Sequence, residues 1–250
     1  MYRLVKRRFA GEEMRLVPIP GAVWREALKA DAARQAWHGP REKANHWPGR
    51  GEQVLGAGVE LMARGMLDAL GASGRWQSAP LFNDRFDRSV DQGGSPSWDL
   101  ALGSGEWRRI VPGHAPGWYG IRLGAEVKAT GCGPRDKWVC RVKDDEYKPH
   151  QRLVFLCTVM VSLRDPSLEW DGVTIRKLPR FMLPFHYLTN ADVASTPVAP
   201  KGTRFAPHKA CRVFPFPGFL PGAAPPGVEL GPAPKLLTRE ALRWLIAPPL

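Results

Sequence analysis

Glu126 and Lys128 stand two residues apart in "YGIRLGAEVKATG" (119–131), and an acid-x-Lys spacing can do chemistry. On an extended strand, residues i and i+2 share a face, which makes the carboxylate and the ammonium neighbours. The run itself alternates: Ile121, Leu123, Ala125, Val127 and Ala129 are apolar, with Arg122, Gly124, Glu126, Lys128 and Thr130 between them. This pattern predicts a half-buried strand with Glu126 and Lys128 on its open face. The triplet alone weighs little, since about one is expected by chance in a chain of this composition. A second triplet, Glu146-Tyr147-Lys148, lies in the polar run "KDDEYKPH" and leads into Pro149.

A further acid supplies the context. In "SWDLAL" (97–102), Trp98, Leu100 and Leu102 share one strand face and Asp99 takes the other. If this strand pairs antiparallel with the first, Asp99 falls opposite Glu126, with Cβ atoms about 5 Å apart. Two carboxylates that close repel one another unless a cation lies between them. Mg²⁺ suits such a place because it takes oxygen ligands and keeps several waters, with Mn²⁺ as a substitute. Lys128 can then orient an attacking water or stabilise charge growing on a phosphate. These are parts for hydrolysing a phosphodiester.

A helix must precede these strands. Leu55, Val59, Met62, Met66 and Leu70 recur at three- and four-residue spacing, which predicts a helix from Glu52 to Leu70 closed by Gly71. At about 100° per residue, Glu52 projects beside Val59 and Leu70 on the apolar face. Glu60 falls at the rim, beside Gln53 and Arg64. Glu52 is thus the helix carboxylate expected to face the body of the protein.

At these residues the chain resembles the PD-(D/E)XK, or restriction-endonuclease-like, nuclease superfamily. The likeness spans about Gly49 to Val161. It rests on Asp99, on Glu126-Val127-Lys128, and on "GRGEQVLGAG", which is similar to the Gly-x-Gly-Glu-like helix opening of that superfamily. The resemblance implies that Asp99, Glu126 and Glu52 bind the metal and that Lys128 assists the water. Gln151 and Glu60 would be supporting groups. It implies an α/β fold whose restriction-endonuclease-like core is a central mixed β-sheet flanked by helices. Two features depart from the pattern: Pro96 lies three residues before Asp99 rather than next to it, and the stretch 144–152, where a helix is due, contains Pro149.

The remaining elements are read from periodicity. Residues 22–38 suggest a helix broken by Pro40, and 75–94 a strand or a bent pair. The connection "GSGEWRRIVPGHAPGWYG" suggests a long hairpin loop or a short strand at 107–111. It carries Arg108 and Arg109 flanked by Trp107 and Trp118, types that suit phosphates, guanine edges and base steps. Residues 137–143 read as a strand; the length of 153–161 would allow a buried helix, but its four β-branched residues lean towards a central strand. One or two strands follow in "GVTIRKLPRFMLPFHYLT", limited to an edge by Pro179 and Pro184. Residues 196–234 are rich in Pro and Gly and read as an extended arm lying on the domain or on a partner; Thr238–Ile246 is a short capped helix. The division expected is 1–48 as a helical and loop decoration, 49–190 as the nuclease core, and 191–250 as a Pro-rich basic arm ending in that helix.

Composition points the same way. The net charge is +12, and 44% of residues are hydrophobic, enough for a core beside a surface that favours a polyanion. No apolar run approaches the roughly 20 residues needed to cross a bilayer, and the N-terminal stretch lacks the features of a signal peptide. Cys132, Cys140, Cys157 and Cys211 form no Cys-x-x-Cys pair, so a reducing, cytoplasmic setting is the default. The function expected is a Mg²⁺-dependent DNA endonuclease, a type II restriction-like cutter of double-stranded DNA, with a homodimer as one option for its assembly. The alternatives are a nucleic-acid-binding protein without catalysis, and a nuclease subunit of a transposition, repair or antiviral complex.

Overall fold

The structure, a computed structural model, describes residues 3–9, 11–42, 50–78, 99–102, 106–108, 117–119, 123–131, 135–144, 153–163, 178–220 and 224–247. The chain opens with a hairpin of β1 (Val5–Phe9) and β2 (Glu12–Pro18), turned at Gly11 with φ 85°. Neither strand is expected from the sequence, where this stretch reads as part of a helical and loop decoration. Helix α1 (Gly21–Glu42) follows, and it runs through Pro40 rather than ending there. A proline removes one helical hydrogen bond, and near a helix end that loss is tolerable.

Helix α2 (Arg50–Leu67) carries the expected stripe: Leu55, Val59, Met62 and Met66 are all buried. A π-type turn, Asp68–Ala72, ends it, with Gly71 at φ 87°, a left-handed backbone that glycine takes without strain. The two helices pack closely at Gly58. A Cβ placed there would lie 2.3 Å from the Trp24 ring, which is buried and donates its indole N–H to the Pro179 carbonyl at 2.7 Å.

The strands come next: β3 (Trp76–Ser78), β4 (Leu100–Leu102), β5 (Glu106–Arg108), β6 (Gly117–Tyr119), β7 (Leu123–Thr130), β8 (Val139–Lys143) and β9 (Leu153–Val161). After them lie β10 (Phe181–Met182), β11 (His186–Thr189), a short α3 (Asn190–Ala194), β12 (Cys211–Pro215), β13 (Lys235–Leu236) and α4 (Arg239–Ile246). The main sheet runs β1-β2-β10-β9-β7-β4-β3, with β11 also beside β9 and β13 outside β11. Every pairing in it is antiparallel except β7 with β9, which is parallel. The fold is mixed α/β.

All nine residues of β9 are buried, as its β-branched run predicts. Its side chains alternate between two cores. Val154, Leu156 and Met160 join α1, α2 and α4 on one face. Phe155, Cys157, Val159 and Val161 join β8, β12 and Trp138 on the other.

One expectation needs correction. The strands around Pro179 and Pro184 are not at an edge: β10 lies between β2 and β9, and β11 between β9 and β13. Pro184 falls in the gap between β10 and β11, where it interrupts no ladder. Of the two places the sequence allows for 196–234, on the domain or on a partner, the stretch takes the domain. Its β12 pairs with β8, and Ala199, Phe205, Val213, Phe214, Phe216, Phe219 and Val228 are buried in the second core. Proline and glycine supply its turns while phenylalanine supplies the burial.

Candidate functional site

The site grows from the pairing of β4 with β7. Leu100 lies opposite Ala125, Ala101 opposite Gly124 and Leu102 opposite Leu123. Continuing this register by one residue sets Asp99 across from Glu126. Asp99 is half-buried and stands just before β4. There the β7 edge has run past its last paired residue, and the Asp99 carboxylate takes over: Oδ2 accepts the Val127 N–H at 2.6 Å.

Ala125 and Val127 pack on the helix side of the sheet, so Glu126 and Lys128 point to the other side. In the parallel register Glu126 lies beside Phe155 and Lys128 beside Cys157, both in the second core. The Lys128 ammonium donates to Glu126 Oε1 at 3.0 Å. The two side chains are only 18% and 14% exposed. This face is therefore not the open one that alternation alone suggests, and β8 approaches β7 on this side. Thr130, on the same side of β7, donates its hydroxyl to the Val139 carbonyl of β8.

The sulfurs of Cys140 and Cys157 meet at 3.0 Å beneath this pair. Burial pushes the Cys157 thiol up, the Cys140 contact adds to that, and the Lys128 charge opposes it. Helix α2 contributes from the opposite side. Arg64 is lowered from its ordinary value by burial, against which the charges of Glu60 and Asp99 act. Arg64 is a member of this neighbourhood that sequence reasoning assigns no role. Its signal was the Glu60–Arg64 spacing of four, which puts both on one flank of the helix.

The structure thus brings together Asp99, Glu126 and Lys128, with Glu60 and Arg64 close by in charge. Glu52 lies in the first turns of α2, and its side chain is outside the described residues. Arg109 and Gln151 are also outside them. The connection between β4 and β7 does hold strands: β5 and β6 form a hairpin in which Trp107 pairs with Trp118 and Arg108 with Gly117.

The donor set bears on a metal. Among the described residues no group of three or more His, Cys, Asp or Glu side chains is placed to hold an ion. Asp99 and Glu126 offer carboxylate oxygens, each carboxylate fixed on one oxygen by a donor from β7. That fits a hard cation that keeps most of its water. No described helix is long and apolar enough to cross a membrane. Compared with protein-family models, curated proteins and solved structures, the chain matches none.

Proposed function

We propose that the chain is a Mg²⁺-dependent DNA endonuclease of PD-(D/E)XK type, a restriction-like cutter of double-stranded DNA. The observation that carries this reading is the register that sets Asp99 across from Glu126, with Lys128 hydrogen-bonded to Glu126. A helix that precedes the acid strand, and a mixed sheet in which the acid and acid-x-Lys strands adjoin, agree with the arrangement the resemblance implies. The stretch 144–152, where the resemblance leads one to expect a helix, lies outside the described residues beyond Asp144.

In this reading Asp99 and Glu126 hold the cation, with Glu52 completing the set. Bound Mg²⁺ supplies Lewis-acid polarisation of the scissile phosphate and lowers the pKa of a bound water. Asp99 is held by the Val127 N–H, so its carboxylate is oriented before any ligand arrives. In this reading the Lys128 ammonium, which donates to Glu126, orients the attacking water or meets the charge that grows on phosphate. Arg108 and Arg109, on and beside the β5–β6 hairpin, contact DNA in this reading, with Trp107 and Trp118 beside them. The positive surplus of the chain holds the polyanion.

A second reading has one observation in its favour. An ion pair as enclosed as Glu126–Lys128 satisfies itself, as it would in a nucleic-acid-binding protein without catalysis. Incubation with plasmid and phage DNA in Mg²⁺ separates the two. The endonuclease reading expects cleavage that Glu126→Gln and Lys128→Ala each reduce by orders of magnitude while DNA binding persists. Glu52→Gln should reduce cleavage more than Glu60→Gln. Binding without cleavage, or wild-type cutting by Lys128→Ala, overturns it.

A further inference from the structure

The β1–β2 hairpin carries a charge pattern that its own pairing does not favour. Lys6 lies opposite Arg15 and Arg8 opposite Glu13, and these four residues share one face and are exposed. The opposite face looks inward: Phe9 and Leu16 are buried in the second core with Met14 against it, and Arg7 lies over the Phe181 ring at 5.6 Å. Two cations directly opposite one another weaken an antiparallel pair. Glu13, the acid of this face, bonds Lys6 at 2.8 Å. Among the described residues Arg8 and Arg15 have no acidic partner. The face is therefore left with a surplus of positive charge.

One account needs no ligand. Charges on an edge strand prevent pairing with other chains, and β1 is the outermost strand on its side of the sheet. That account explains Lys6 and Arg8. Arg15 lies on a stretch of β2 whose other side has no described partner strand, since β10 pairs only with Val17 and Pro18. Edge protection still gives no reason for Arg15 to meet Lys6 head-on.

We infer that this face of the hairpin grips the phosphate backbone of a nucleic-acid duplex. The inference rests on the reading of the chain as a DNA-processing protein, and it adds a contact surface separate from Asp99, Glu126 and Lys128. A two-stranded ribbon fits a major groove about 12 Å wide. Cations on such a ribbon neutralise phosphates, release counterions and fix the orientation of the protein without reading sequence. The apolar underside anchored in the second core keeps the ribbon from swivelling.

The test is equilibrium binding of the full chain to a short DNA duplex at several salt concentrations. Lys6→Gln, Arg8→Gln and Arg15→Gln combined should flatten the slope of log affinity against log salt by about 2 to 3 units, at about 0.9 per phosphate contact. A control combining Lys201→Gln, Arg239→Gln and Arg243→Gln removes equal charge from exposed positions elsewhere, and should leave the slope near that of wild type. Equal slopes for wild type and the hairpin variant overturn the inference while leaving the nuclease reading intact. So does self-association of the hairpin variant with an unchanged slope, which would assign these charges to guarding the edge. Failure of the wild type to bind any duplex overturns both. The melting temperature of each variant checks that the fold is kept.

Discussion

The Asp99 carboxylate accepts the Val127 N–H at 2.6 Å. One side chain thereby closes the end of the β4–β7 ladder and stands across from Glu126. Its two roles can be separated. Asp99→Asn keeps an acceptor for Val127 and loses the charge; Asp99→Ala loses both. If the chain cuts DNA as proposed, cleavage should fall by orders of magnitude in both variants. Only Asp99→Ala should lose stability, by about 1–2 kcal/mol for an unsatisfied backbone donor. Thermal melting beside a cleavage assay reads the two effects.

Glu126 and Lys128 are an enclosed pair, so removing one partner strands the other. Lys128→Met should destabilise the chain more than the double variant Lys128→Met with Glu126→Gln. A double-mutant cycle in denaturant should give a coupling of about 1–3 kcal/mol. Additive effects would mean that the two groups do not support one another.

Gly58 sets the distance between α1 and α2. A methyl group there meets a Trp24 ring that is fully packed and tied to the Pro179 carbonyl, so the ring cannot turn aside. Gly58→Ala should cost about 1–3 kcal/mol through overpacking, despite the better helix propensity of alanine. Denaturant unfolding measures it.

His186 gives the chain a pH dependence. Burial lowers its pKa, opposed by the hydrogen bond to the Pro184 carbonyl. Below the ordinary histidine value of about 6.5, the unfolded chain takes up a proton that the folded chain resists. Stability from this residue is therefore complete above about pH 6.5 and is lost as pH falls towards the lowered folded value. Burial alone would raise Asp192, but the N–H and hydroxyl of Thr189 and the Lys235 charge outweigh it and hold it down. Its own loss comes only in more acid solution, below the ordinary aspartate value of about 3.9. Melting temperatures between pH 7.5 and 5 should fall in wild type, and fall less in His186→Gln.

Much of the central frame was legible in the sequence because it is local. The period of two in β7, the β-branched run of β9 and the three-four stripe of α2 each declare their element without help. The alternation of "SWDLAL" then sets Asp99 opposite Glu126 with little freedom in register. What escaped depends on distant partners. The hairpin "VKRRF" and "EEMRLVP" is too charged to read as sheet, and it becomes sheet because Phe9, Leu16 and Val17 reach cores built much later in the chain. The burial of 196–234 hangs on β12 finding β8. The enclosure of Glu126 and Lys128 likewise has no local sign, because a face that alternates like a solvated one is covered. The influence of the Asp99 charge on Arg64 leaves no local trace.

Strand β9 gives alternate side chains to both cores, and this bears on how the molecule comes apart. A wall shared by two rooms cannot be taken from one alone. Withdrawing β9 strips Val154, Leu156 and Met160 from the helices in the same motion that pulls Phe155, Cys157 and Val159 from beneath β8 and β12. The helical layer and the β8–β12 layer are thus bound into one cooperative unit, and the parallel partner that carries Glu126 and Lys128 keeps its place only while both layers hold.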